Sequence, residues 1–264
     1  MAYDISKLQT TKAVHPPRVL IYGPPGQGKT SLAAEFPKPV IIDVEQGVPV
    51  GVEIATFGEV ETYDQVLQAL ISLYNGEHDL KTLIIDSLDR LEPLVWAAAC
   101  KDNGWANIEE AGFGKGYLIV DGYWRKIIAS CNALRTKRGM NIVYVAHSVV
   151  DKFEDPTAGQ YSRYSIRLHK RAKGMIEDEV DAILFVNQDV SITEEEAGFN
   201  KKVKRAEGGG FRWIFCEQRP SFTAKNRYGL PDKLKYDAGN GFPQLAPYFP
   251  NQSGDAATAK KDAA

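Results

Sequence analysis

From residue 18 to about residue 150, short runs that are apolar throughout alternate with longer stretches in which apolar residues recur every three or four positions. RVLIYG, PVIIDVEQG, KTLIIDSLDRL and MNIVYVAHS carry the apolar runs. A run with no polar alternation reads as a strand covered on both faces. After the first strand, PPGQGKTSLAAEF reads as a loop and helix that Pro37 and Pro39 bring to an early stop. Residues 61–75 carry Val66, Leu67, Leu70, Ile71 and Tyr74 at helical spacing, and 87–100 and 117–136 read as further helices. This alternation predicts an α/β fold with a mostly parallel central sheet flanked by helices. EVDAILFVN and FRWIFCE lie beyond the alternating part and predict antiparallel strands toward the C-terminus. Ligands of such sheets bind where the strands end.

The stretches 101–116 and 149–173 have no clear period and read as loops. Between the two last strands lies a charged excursion with Glu194–Glu196 and Lys201–Arg205, expected to be an exposed hairpin. The expected organisation is an N-terminal arm over 1–17, one domain over 18–247 and a small-residue polar tail over 248–264, read as disordered.

Composition changes this picture little. The chain of 264 residues is 44% hydrophobic and 25% charged, ordinary for a globular protein. Its net charge of −2 confines any nucleic-acid contact to local basic patches. Cys100, Cys131 and Cys216 form no CxxC pair, which argues against a metal or disulfide framework and fits a reducing compartment. The first residues lack a signal-peptide core, and no stretch approaches the roughly 18 apolar residues of a membrane span. A cytoplasmic protein without a membrane partner is expected.

The strongest local signal is Gly23-Pro24-Pro25-Gly26-Gln27-Gly28-Lys29-Thr30, a match to GxxxxGK[ST] followed by Ser31. Glycines let successive backbone amides curl around phosphate oxygens where a Cβ would collide. Lys29 is placed to reach the β and γ phosphates, and Thr30 offers a hydroxyl to Mg²⁺. Asp86 closes the strand Leu83-Ile84-Ile85 and is the second candidate for the metal, with Asp89 as the alternative. An acid after a strand is also a common helix cap, so Asp86 gains its meaning from the loop. A nucleoside triphosphate and Mg²⁺ are the expected ligands.

Glu45 follows the second strand, where a carboxylate can polarise water for in-line attack on a γ-phosphate. Ser87, and not a carboxylate, follows Asp86, so Glu45 is the candidate base. The strand Ile42-Asp43-Val44-Glu45 resembles the I-D-x-E strand of RecA-like ATPases, and the resemblance extends over about residues 18–235. It implies ATP as the nucleotide and a catalytic role for Glu45. It also implies a γ-phosphate sensor at the end of the strand from Asn141 to Ala146. Where the family often has Gln, this chain has His147. Lys225-Asn226-Arg227-Tyr228-Gly229 is similar to the K-N-R-F-G motif of bacterial RadA and the K-x-R of DnaB-type helicases. The resemblance implies that Lys225 and Arg227 reach a neighbour's phosphates, hence a head-to-tail homo-oligomer, ring or filament. GPPGQGKTSLAAEFPKPVIIDVEQG and the VAHS strand with its basic loop resemble minimal phage-encoded RecA-like ATPases associated with single-strand annealing.

Two stretches carry the cations and rings that suit single-stranded DNA. The first holds Trp105, Phe113 and Lys115; the second holds Lys152, Arg163, Arg167, Lys170, Arg171 and Lys173. The function expected from all this is a RecA-like ATPase acting on single-stranded DNA in recombination or annealing. A single-stranded-DNA-binding protein is a further candidate partner. Three alternatives stay open: a helicase or loader motor, an ATP-gated DNA binder with little turnover, and a small-molecule kinase. The last ranks lowest because no lid-like Arg cluster accompanies the loop.

Overall fold

The computed structural model describes residues 15–157, 159–196 and 202–250. Most of the expected arm and tail, and the tip of the charged excursion with Lys201, lie outside the described residues.

Five parallel strands form the centre: β1 (Arg18–Gly23), β2 (Pro39–Asp43), β4 (Thr82–Asp86), the first part of β5 (Asn141–Asp155) and the first part of β7 (Ala182–Glu196). With the two-residue β3 (Ala55–Thr56), β8 (Lys202–Phe215) and β10 (Lys233–Tyr236), the order across the sheet is β10-β8-β7-β1-β5-β4-β2-β3. Neighbours from β7 to β3 run parallel, whereas β8 and β10 are antiparallel additions. This is the mixed sheet, mostly parallel, expected from the alternation of strands and helices.

Because successive side chains of a strand face opposite ways, the apolar runs feed two cores. Leu20, Tyr22, Ile42 and Ile85 face helices α2 (Tyr63–Asn75), α3 (Leu88–Asn103), α4 (Lys115–Ala133) and α5 (Lys170–Glu179). Val19, Ile21, Ile41 and Ile84 face α1 (Lys29–Ala34) and the C-terminal α6 (Gly241–Leu245). Thr62 caps α2, with its hydroxyl accepting from Gln65 N while Gln65 accepts from Thr62 N.

Three expectations change. The apolar stripe of α2 is rotated: Tyr63, Ala69 and Leu73 are buried with Val66 and Leu70, while Ile71 and Tyr74 lie exposed. Position in the layered packing, and not hydrophobicity alone, decides which residues of a helix are covered. The stretch 101–116 is only partly a loop. α3 runs on to Asn103, a 3-10 turn forms over Ile108–Ala111, and Lys115 opens α4. The stretch 149–173 is a hairpin and a helix. β5 continues to Asp155 and returns as β6 (Gly159–Ile166), with Ser148 opposite Ile166 and Asp155 opposite Gly159. Hydrophobic pattern does not reveal this strand pair because both of its faces are largely wet, with Val150 and Phe153 exposed among charges. β7 and β8 likewise pair as a long hairpin, Glu194 opposite Lys204 and Glu196 opposite Lys202.

Candidate functional site

Everything that carries chemistry at the strand ends follows from where β1 stops. Gly23 is the last residue of β1, and a Cβ there would lie 2.1 Å from the carbonyl oxygen of Val186, so only glycine lets β7 pass. The chain then loops through Pro24 to Gly28 and enters α1. Gly28, at φ 83°, is in the left-handed region that favours glycine.

Lys29 is buried, and its ammonium donates to the carbonyl of Pro24 at 3.0 Å. Burial lowers its pKa, against the pull of Asp86, Glu45 and Asp89. The field of three carboxylates therefore acts on one buried lysine. Thr30 Oγ1 donates to Asp86 Oδ2 at 2.6 Å. Burial raises the Asp86 carboxyl to about 6, with Glu45 and Asp43 adding to the effect and the Thr30 hydroxyl and Lys29 opposing it. Two hard oxygen donors side by side in an acid-rich pocket fit Mg²⁺. Two groups hold the backbone of Glu45. Its amide donates to Asp86 O at 3.2 Å and to Asp43 Oδ1 at 3.2 Å, and Asp43 also takes the amide of Gln46 at 2.7 Å. Val44 N adds a bond to Asp86 O at 2.7 Å, which ties the end of β2 to the end of β4.

His147 ends the parallel part of β5, level with Gly23. Its Nε2 lies 3.5 Å from Glu45 Oε1, and its Nδ1 lies 3.1 Å from Asp89 Oδ2. Asp89 also accepts the His147 amide at 2.9 Å and the Arg167 guanidinium at 3.1 Å. Burial works to raise the Asp89 carboxyl, but the His147 and Arg167 contacts outweigh it and hold it down at about 2. A line of contacts thus runs Glu45, His147, Asp89, Arg167, from the phosphate loop to the base of the β5–β6 hairpin.

Pro25, Gly26, Gly28, Lys29, Thr30, Ser31, Glu45, Asp86 and His147 line one cavity with Gly47 and Pro49. Of the residues expected at the nucleotide, Gly23, Pro24 and Gln27 complete the loop but do not line that cavity.

The two expected cations lie elsewhere. β9 (Lys225–Asn226) pairs with β7 at Ile183 and Ala182, which are level with Leu20 and Val19, at the amino end of the parallel strands. Arg227 is therefore some five residues, roughly 16 Å, from the level of Gly23. Lys225 Nζ donates to the carbonyls of Glu177 and Asp178 at 2.6 and 3.2 Å, and Arg227 meets Asp181 at 3.3 Å. Neither can reach its own chain's loop.

The expected DNA residues are spread over two regions. Trp105 is half-buried against the core, Phe113 is fully exposed with φ 49° between two glycines, and Lys115 is exposed at the start of α4. In the second region Lys152 and Lys170 are exposed. Arg171 is held bidentately by Asp121, and Lys173 donates to Ser165 at 2.9 Å. Arg163 lies over the Phe153 ring at 5.2 Å.

Four residues were not singled out from sequence for the parts they play here. Asp43 and Asp89 position Glu45 and His147. Arg212 and Tyr236, from β8 and β10, press against Gly28. Asp89 carries a faint signal, an acid in the first turn of the helix after the Asp86 strand. Arg212 and Tyr236 carry none, since Tyr236 is 208 positions from the Gly28 it touches.

A phosphate loop on β1, an acid ending β4 and a carboxylate beyond β2 define a P-loop nucleotide-binding class of protein. The chain belongs to the AAA_24 family, described as an AAA domain, whose model matches residues 15–228. No curated protein matches the chain. Among solved structures it is similar to the crystal structure of the RadB recombinase, at 12% identity and a TM-score of 0.46, over 84% of this chain and 86% of that one. Among the described residues, no helix is long and apolar enough to cross a membrane.

Proposed function

We propose that this protein binds and hydrolyses ATP as a RecA-like ATPase and acts on single-stranded DNA in recombination or annealing of the phage type. One observation carries the reading: Lys29, Thr30, Asp86, Glu45 and His147, drawn from four strand ends, line a single cavity. In it Lys29 meets the β and γ phosphates while Thr30 and Asp86 hold Mg²⁺, which when bound neutralises charge on those phosphates. Glu45 takes the proton of the attacking water. His147 sits between that carboxylate and Asp89, so a change at the γ-phosphate is felt at Arg167 and the hairpin.

DNA binding is supported by a fully exposed Phe113 and by exposed Lys115, Lys152, Lys170 and Arg167. Rings stack on bases and cations take phosphates. Lys225 and Arg227, remote from their own loop, fit a neighbour's site in a head-to-tail ring or filament. Arg227 is more than half exposed, whereas Lys225 must first release two helix carbonyls.

The test is the steady-state rate of ATP hydrolysis with and without single-stranded DNA, with Lys29→Ala as the blank. Turnover above the blank that rises with DNA is the expected result. Turnover at the blank level in both conditions would refute the hydrolytic part. A second reading, an ATP-gated DNA binder with little turnover, gains support from the His147 ring standing 3.5 Å from Glu45 Oε1, where it competes with water for that carboxylate oxygen. It predicts ATP-dependent DNA binding with no turnover. Strand displacement on forked DNA would indicate a motor instead.

A further inference from the structure

Arg212 is the feature that the proposed chemistry leaves unused. It lies on β8, opposite Gln188 on β7 and Tyr236 on β10. Gln188 is three residues beyond Phe185, the partner of Tyr22, so Arg212 stands past the carboxyl end of β1, at the level of the phosphate loop. A Cβ built on Gly28 would be 2.6 Å from Arg212 Nη1 and 3.2 Å from Tyr236 Cε1. The guanidinium therefore rests against the backbone of the loop itself.

No carboxylate among the described residues pairs with it. Among the described residues Arg212 has neither a hydrogen bond nor an ion pair; its one contact of note is the Tyr236 ring, 5.1 Å from its central carbon. Glu35, the carboxylate beside Tyr236, already accepts the amides of Gly239, Gly241 and Phe242 at 2.6–2.8 Å. Tyr236 is fully buried, and its hydroxyl lies 3.3 Å from both Gly28 O and Glu35 Oε1, so the platform under the arginine is fixed to the loop. A half-buried guanidinium, pre-oriented on a ring and without a counter-ion, is built to meet a phosphate.

The sheet order says which phosphate. Asp86, Glu45 and His147 come from β4, β2 and β5, all on one side of β1. Arg212 comes from the other side, beyond β7. With the γ-phosphate among the first group, the α-phosphate and nucleoside leave the loop toward Arg212. We infer that Arg212, held on Tyr236, binds the nucleotide of its own subunit on the α-phosphate side and so sets affinity for ATP and ADP alike. This rests on the nucleotide reading above. Arg212 is a binding residue, distinct from the groups that act on the γ-phosphate.

The test is calorimetric titration of the full chain with MgATP and with MgADP, comparing wild type, Lys29→Ala, Arg212→Ala and Arg212→Lys. Loss of a charge-assisted contact should raise Kd for both nucleotides by about tenfold or more in Arg212→Ala. Arg212→Lys should recover part of it, and saturating ATP should restore the wild-type hydrolysis rate, the effect falling on KM. Should Arg212→Ala melt early, Arg212→Gln keeps a planar group on Tyr236 without the charge and serves in its place. A lower melting temperature with unchanged Kd would make Arg212 structural and overturn the inference. Weakening of ATP alone, with ADP unchanged, would place it at the γ-phosphate and overturn it too. No binding by wild type would defeat the nucleotide reading itself, and the inference with it.

Discussion

Glu92 offers a prediction whose sign and size follow from its position. It lies on α3, buried, and both carboxylate oxygens accept the amide of His169, at 3.1 and 3.0 Å. Burial pushes its carboxyl from the ordinary 4.5 up to about 7, with the His169 amide opposing and the nearby Asp89 reinforcing. Between those two values the folded protein holds a proton that the unfolded chain has released. Stability from this group is thus fully present below about pH 4.5 and is lost as pH rises through about 7. A displacement of this size corresponds to at most about 3 kcal/mol, and contact with water in the adjoining cleft reduces it to roughly 2 kcal/mol. Gln keeps an oxygen for the His169 amide and cannot ionise. Glu92→Gln should therefore match wild type at pH 4 and exceed it by roughly 2 kcal/mol at pH 8, read by urea unfolding at both pH values. A difference between the two proteins that does not change with pH would refute the reasoning. So would a variant less stable than wild type at pH 8.

Asp181 accepts from Arg18 at 2.9 Å and from Arg135 and Arg227 at 3.3 Å, so Asp181→Asn takes the shared counter-charge from three clustered cations, Arg18 keeping its pair with Glu179. A loss of about 3 kcal/mol in thermal unfolding is expected. A Cβ on Gly116 would lie 2.1 Å from the carbonyl oxygen of Ile108, so Gly116→Ala should cost roughly 1–3 kcal/mol by the same measurement. Asp89→Asn removes the charge that holds both His147 and Arg167. It should lower DNA-stimulated ATP hydrolysis by about an order of magnitude while Kd for ATP holds within about twofold. Replacing Arg167, Lys170 and Arg171 together by Ala should weaken single-strand binding and flatten its salt dependence, checked by titration over a range of salt concentrations.

The chain by itself determined what depends on neighbours in sequence. A loop of glycines before Lys29 and Thr30, set between a strand and a helix, carries its geometry in a few consecutive dihedrals, and the apolar runs fix the strands that place Asp86 and Glu45 at their ends. The alternation of runs and amphipathic stretches was enough to specify a mostly parallel sheet with helices on both faces. Pairing decided the rest. Whether 149–173 is a loop or a hairpin turns on Ser148 meeting Ile166, and hydrophobic pattern says little where both faces are wet. Which side of α2 is covered depends on its packing against α3 and α4. Asp89 and Arg167 meet across 78 positions and Tyr236 and Gly28 across 208, contacts that no local pattern encodes because they exist only once the sheet has set its order. The phosphate loop is thus written in the sequence, while the groups that orient it, couple it and flank it are products of the fold.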